Sequence, residues 1–97
     1  MHVISQKRLR DFWARHADAE GPLRAWHTVM TRGTFKDPHE LKEAFPGADL
    51  VGDERAVFNI GGNRYRLVAD LRYEWGRVYV AAVLTHAEYD RVVVREL

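Results

Sequence analysis

Between Arg64 and Trp75 the chain alternates. Tyr65, Leu67, Ala69, Leu71 and Tyr73 share one parity, and Arg64, Arg66, Val68, Asp70 and Arg72 share the other. Successive side chains of a β-strand point to opposite faces. The pattern therefore predicts a strand with one face against a core and one free face carrying arginines. Upstream of it, Gly61-Gly62-Asn63 is a hairpin signal, because all three residues tolerate a positive φ. It joins this strand to a β-type run at Ala56–Ile60. Downstream, Glu74-Trp75-Gly76 predicts a turn, and the β-branched run Val78–Thr85 predicts a strand with neighbours on both sides. His86–Asp90 breaks that run, and Val92, Val93 and Val94 suggest a last short strand.

Before Arg55 the period is helical. Met1–Ile4 fits a short leading strand, and Ser5 is placed to cap the helix that follows. Leu9, Phe12, Trp13 and His16 fall on one side of that helix. Gly21 interrupts it, and Pro22 suits the first position of a second helix with Leu23, Trp26, Val29 and Met30 on its apolar side. Gly33 predicts its end. Asp37-Pro38-His39-Glu40 signals a third, short helix. The aspartate caps it, the proline starts it, and the glutamate reaches back to the cap amide. Leu41, Ala44 and Phe45 form its expected buried edge, Pro46-Gly47 ends it, and residues 48–54 read as an acidic loop. The expected architecture is α+β, with N-terminal helices packed on one face of a small antiparallel sheet. It forms one domain over residues 1–97, with no repeat, linker or low-complexity tract.

Composition narrows the chemistry. With 97 residues, 46% hydrophobic and 30% charged, the chain can bury one core without staples. It has no cysteine, which excludes a disulfide framework, a thiol nucleophile and cysteine-ligated zinc. A reducing, cytoplasmic setting fits. No apolar run reaches the roughly 20 residues of a membrane span. Met1–Arg10 carries three basic residues with no apolar stretch behind them, unlike a signal peptide. The formal net charge of +1 hides a segregation: residues 1–36 are net +4, residues 37–54 net −5 and residues 55–97 net +2. All seven basic residues after position 54 are arginine, whose planar fork suits phosphates and carboxylates.

Most familiar site chemistries find no support. The histidines His2, His16, His27, His39 and His86 include no i, i+4 pair, so no metal site is signalled. The glycine pair lies between two strands rather than before a helix, so it is no phosphate loop. Ser5, the only serine, is placed to cap rather than to attack. Two features remain. Arg64, Arg66 and Arg72 share a parity and suggest an anion-binding face, partly neutralised by Asp70. Thr85-His86-Ala87-Glu88-Tyr89-Asp90 places a histidine, a tyrosine and two carboxylates at a strand end. The alternative for this segment is a polar turn around a half-buried tyrosine. Together the two features suit metal-free RNA cleavage. The 2′-hydroxyl attacks the adjacent phosphate and expels the 5′-oxygen, which needs a base, an acid and a cation. His86, Tyr89 and Arg66 are of the right types, and aromatic and arginine side chains also stack on exposed bases.

The run Phe58-Asn59-Ile60-Gly61-Gly62-Asn63-Arg64-Tyr65-Arg66-Leu67, followed by Thr85-His86-Ala87-Glu88-Tyr89-Asp90, resembles the HigB family of bacterial toxins. Val3-Ile4-Ser5, Leu9, Phe12-Trp13, Pro22-Leu23, Trp26, Asp37-Pro38, Leu41-Lys42 and Phe45-Pro46 follow that family in order along nearly the whole chain. The resemblance implies a RelE-like fold and an endoribonuclease that cuts messenger RNA, typically on the translating ribosome. It implies inhibition by a HigA-type antitoxin with a helix-turn-helix domain, and operator DNA reached only through that antitoxin. It needs no cofactor, metal or membrane. By position and type it assigns catalysis to Arg66, His86 and Tyr89, and RNA binding to Asn63, Arg64 and Arg72. Base and acid stay unassigned between them. The chain departs from the family's usual basic character, with no lysine after Lys42. Arginine in place of lysine, or weaker ribosome affinity, would each account for that. Two other functions compete: a non-catalytic RNA- or protein-binding module, which would bind without cutting, and a subunit of a DNA-bound repressor complex, marked by an adjacent helix-turn-helix gene. The first two helices and residues 37–54 are the expected antitoxin contacts.

Overall fold

The computed structural model describes all 97 residues. Five strands form one sheet: β1 (His2–Ile4), β2 (Asp49–Val51), β3 (Arg55–Ile60), β4 (Tyr65–Arg72) and β5 (Arg77–Thr85). Their spatial order is β1-β5-β4-β3-β2. From β2 to β5 they form an antiparallel meander, and β1 joins the far edge parallel to β5, so the sheet is mixed. Four helices accompany it: α1 (Gln6–Arg15), α2 (Glu20–Arg32), α3 (Pro38–Ala44) and α4 (His86–Tyr89). A 3-10 turn at Ala17–Ala19 links α1 to α2. The α+β expectation holds, with the leading strand placed at the edge.

The helical layer covers the face that the alternation marked as apolar. Leu9 and Phe12 of α1, Leu23, Trp26 and Met30 of α2, and Leu41 of α3 meet Phe58, Ile60, Tyr65, Leu67, Ala69, Leu71, Val78 and Val80 of the sheet in one cluster. Phe58 is its hub. Trp26 and Phe45 each meet its ring edge-on, with centroids 5.5 and 5.0 Å away. Each such side chain contributes about 1.5–3 kcal/mol by leaving water, so the stripe and the alternating strand fix each other's orientation. Between Val68 and Ala69 the β4–β5 register shifts by one residue. That bulge lets Val78 and Val80 face the core before it and Val83 after it, where strict alternation would turn one set out.

Several local expectations need correction. Ser5 sits at the α1 N-cap, but its side chain makes no capping bond. α2 begins at Glu20, so Gly21 and Pro22 lie inside its first turn, where a missing amide costs nothing. Asp37 does cap α3, accepting from the Glu40 amide at 2.9 Å. Glu40, however, reaches the Lys36 amide rather than that of Asp37. Ala44 is exposed, and Ala48 is buried in its stead. Residues 49–51 are not loop but the edge strand β2, paired with Arg55–Val57. Val92–Val94 forms no strand. The chain there closes on itself through Glu96 N–H to Val93 O and Leu97 N–H to Val94 O, and Arg55 holds it by donating to the Val94 and Leu97 carbonyls at 2.7 and 2.8 Å.

The second sheet face is only partly free. Val57 and Val68, neighbours across β3 and β4, point away from the helices, lie outside the main cluster and are still buried. Their parity is that of Arg55 and Asp70, beside which the C-terminal segment is tied down. Both ends of the face stay open: Asn59 is exposed near the β3–β4 hairpin, and Arg77 at the opposite end.

Candidate active site

The hairpin at residues 61–64 begins the site. Gly61 and Gly62 have φ of +62° and +69°, a region that costs an L-residue roughly 1–2 kcal/mol. Two glycines therefore let the chain reverse, and β4 starts at Tyr65. Arg64 closes the turn, its amide donating to Gly61 O.

Thr85 ends β5 and starts α4. Its hydroxyl accepts from the Glu88 amide at 3.1 Å, and the Glu88 carboxylate accepts from the Thr85 amide at 2.8 Å. This reciprocal cap nucleates a helix of only four residues. The Thr85 amide holds the Glu88 carboxyl below the usual range, and the charge of Arg15 acts in the same direction. Glu88 is thus engaged in the cap of α4.

Arg66 and Tyr89 come together, and the main chain brings His86 beside them. The Arg66 guanidinium lies over the Tyr89 ring, 5.6 Å from its centroid. The same guanidinium donates to the Asn63 and Tyr65 carbonyls at 3.2 and 3.1 Å. His86 opens α4, and its amide donates to Arg64 O at 3.0 Å. Its Nδ1 faces the Asp90 carboxylate at 3.1 Å, which leaves Nε2 as the nitrogen available to a substrate. Arg66 pairs with no carboxylate, so its charge stays available to an anion.

The other expected residues are placed differently. Asn63 lends its carbonyl to Arg66. Arg64 leaves the row of arginines: it lies before β4, and its Nη1 meets Asp18 of the helical layer at 2.7 Å. Arg72 stands at the far end of β4, about 20 Å along the strand from Arg66 at a rise near 3.3 Å per residue. There it pairs with Glu54 and lies over the Tyr79 ring. The shared parity is real for Arg66 and Arg72, but the strand separates them.

Two neighbours complete the site, one named from sequence as a carboxylate of the Thr85–Asp90 segment and one not named at all. Asp90 orients His86 from one helical turn away, a spacing visible in the chain. Asp18 joins through the fold alone. Its carboxylate accepts from Arg64 and, at 2.5 Å, from the Tyr65 hydroxyl, whose ring packs against Phe12 and His16. The Tyr65 hydroxyl, and then Arg64, holds the Asp18 carboxyl below its ordinary range. Asp18 in return raises the Tyr65 phenol. A cleft of about 190 Å³ between α1 and α2, which includes Arg10, Trp13, Arg24 and His27 in its lining, contains none of these groups.

Chemically, the site offers an unpaired guanidinium, an oriented imidazole and a phenol at one open end of a sheet. That set can grip a phosphate and move protons beside it. Comparison with known proteins agrees in kind. A protein of Escherichia coli (strain K12) named mRNA interferase toxin HigB is 39% identical over 92 residues, 93% of this chain and 88% of that protein. The mRNA interferase HigB of Shigella flexneri matches equally, and a namesake from Escherichia coli O6:H1 is 28% identical over 94 residues, 95% of this chain and 91% of that protein. The profile of the HigB toxins, described as the RelE-like toxic component of a toxin-antitoxin system, matches residues 19–92. With the hairpin, β4, β5 and α4 all inside that match, the chain belongs to the HigB toxin family.

Proposed function

We propose that this chain is the toxin of a type II toxin–antitoxin pair and cleaves messenger RNA as an endoribonuclease, with Arg66, His86 and Tyr89 as its catalytic group. The observation that carries the reading is the convergence of Arg66, Tyr89 and His86 around the β3–β4 hairpin. The names of its relatives, mRNA interferases, supply the substrate. In this reading the 2′-hydroxyl loses its proton to a base and attacks the neighbouring phosphorus. The P–O5′ bond breaks, and the 5′-oxygen takes a proton from the acid. A 2′,3′-cyclic phosphate and a 5′-hydroxyl end result. His86 Nε2 and the Tyr89 hydroxyl share the two proton transfers, and Arg66 stabilises the charge that builds on the phosphate.

The reading further places the enzyme in the cytoplasm, on messages held by the ribosome, with a HigA-type helix-turn-helix antitoxin as its partner and operator DNA reached only through it. No helix is long and apolar enough to cross a membrane. Asn63, Arg64 and Arg72 remain the proposed RNA-binding residues, with Arg64 and Arg72 sharing their charge with carboxylates.

The test is cleavage of a translated message on purified ribosomes, with and without chelator. Wild type is expected to cut in both. Arg66→Ala, His86→Ala and Tyr89→Ala are each expected to lose about 10²–10⁴ in rate, and full activity in the triple variant overturns the assignment. A second reading, a module that binds RNA or protein without cutting, rests on the near-neutral net charge of +1. It predicts binding without products and no growth arrest on expression.

A further inference from the structure

We propose that Asp18 is a positioning residue for RNA cleavage: it fixes the β3–β4 hairpin, whose carbonyls hold Arg66 and His86 in place. The proposal rests on the reading of Arg66 and His86 as catalytic. Three consecutive carbonyls do the holding. Those of Asn63 and Tyr65 accept from the Arg66 guanidinium, and that of Arg64 accepts from the His86 amide. A shift of this turn therefore moves both groups at once.

The turn has few side chains of its own to brace it, although a Cβ on Gly61 would meet Pro22 and Tyr65 at 3.7 Å. Gly61 and Gly62 carry no side chain, and a Cβ on Gly62 would meet nothing within 4 Å. Its anchor comes from the other layer. Asp18, in the 3-10 turn between α1 and α2, accepts from Arg64 Nη1 with one carboxylate oxygen and from the Tyr65 hydroxyl with the other, at 2.7 and 2.5 Å. The two donors are consecutive residues at the end of the turn. Packing against Phe12 and His16 fixes the Tyr65 ring, and Asp18 then fixes its hydroxyl. A carboxylate is the group that can accept from both donors. An amide at this position would turn its NH₂ toward one of them. The Arg64 and Asp18 side chains are 69% and 48% exposed, and exposed pairs of this kind add little to stability. Their value is geometric, since a misplacement of about 1 Å can cost 10²-fold in rate.

The experiment is single-turnover cleavage of a translated message on purified ribosomes, with melting temperature measured in parallel. The variants are Asp18→Ala, Asp18→Asn, Tyr65→Phe, Arg66→Ala, His86→Ala and the combination of Asp18→Ala with Arg66→Ala and His86→Ala. Asp18→Ala is expected to lower kcat about 10- to 100-fold, on the scale of such misplacements, with KM changed less than about threefold. Asp18→Asn and Tyr65→Phe, which keep shape and packing, are expected to fall between it and wild type. In the combination, Asp18→Ala is expected to add almost nothing to the loss already caused by Arg66→Ala and His86→Ala, because the groups it positions are gone. Wild-type kcat in Asp18→Ala, or a full additive loss in the combination, overturns the proposal while Arg66→Ala and His86→Ala stay slow. Wild-type rates in Arg66→Ala and His86→Ala overturn the underlying reading instead, and the proposal with it. A rate loss that merely tracks a lowered melting temperature across Asp18→Asn and Tyr65→Phe also overturns it.

Discussion

Arg55 does more than any other single residue to hold the second sheet face together. Its Nε and Nη2 donate to the two Asp70 carboxylate oxygens at 2.7 and 2.9 Å, while Nη1 donates to the Val94 and Leu97 carbonyls. Asp70 and Arg55 face each other across β3 and β4, and their side chains are only 27% and 15% exposed. Hydrogen bonds to charged groups contribute about 1.5–3 kcal/mol each way of counting. Arg55→Met is therefore expected to cost about 2 kcal/mol, or roughly 8–16 °C in Tm for a chain of this size, and to release the C-terminal segment. Differential scanning calorimetry and protease digestion of the tail check both. A Tm within 2 °C of wild type would show the pair to be ornamental. The pair also fixes a pH dependence. Arg55 holds the Asp70 carboxyl below its ordinary value, so its contribution is complete above about pH 4, where an unfolded aspartate is ionised. It is lost as pH falls through the lower, folded value. Asp70→Asn is expected to flatten that acid limb and leave the neutral-to-alkaline limb unchanged.

At the scale of elements, α4 is the weak point on which the site depends. Four residues are too few to be helical by propensity alone, and the Thr85–Glu88 cap carries the start of the helix. Thr85→Ala is expected to cost about 1 kcal/mol, yet to slow cleavage more than that figure implies, because His86 and Tyr89 move with the frayed turn. Thr85→Ser keeps the hydroxyl and is expected to restore both. Rates and Tm measured on the same samples decide it, and a rate unchanged in Thr85→Ala sinks the idea. The same element shows what the sequence discloses. The Thr85–Asp90 segment and the Gly61–Asn63 turn could be recognised from residue types, because local chemistry specifies caps and tight turns. The alternation in β4 was equally plain, because burial on one face imposes a period. β2 was hidden, since a three-residue edge strand buries too little to leave a pattern. Val92–Val94 misled for the converse reason. Three valines satisfy strand propensity, but Arg55 claims the carbonyl of Val94. Asp18 was beyond reach, because nothing in the chain says that it meets residues 46 and 47 positions later.

The charge of the whole molecule decides how tightly it can hold RNA. Seven arginines follow position 54, and read as a stripe they promise a strong electrostatic grip. The fold spends three of them internally: Arg55 on Asp70, Arg64 on Asp18 and Arg72 on Glu54. Arg66, Arg77, Arg91 and Arg95 form no ion pair. Each phosphate neutralised on a single strand adds about −0.7 to the slope of log K against log salt. If RNA meets the arginines that follow position 54, the four free ones predict a slope of about −3, against about −4 if Arg64 and Arg72 engage as well. The measurement uses His86→Ala, which is expected to bind without cutting, and a short single-stranded RNA titrated between low and moderate salt. A slope near −3 or shallower means that the paired arginines stay with their carboxylates in the complex. A slope near −4 means that RNA pulls Arg64 and Arg72 away from Asp18 and Glu54. Arg64→Gln separates the two cases: it leaves the slope unchanged in the first and makes it shallower by about 0.7 in the second.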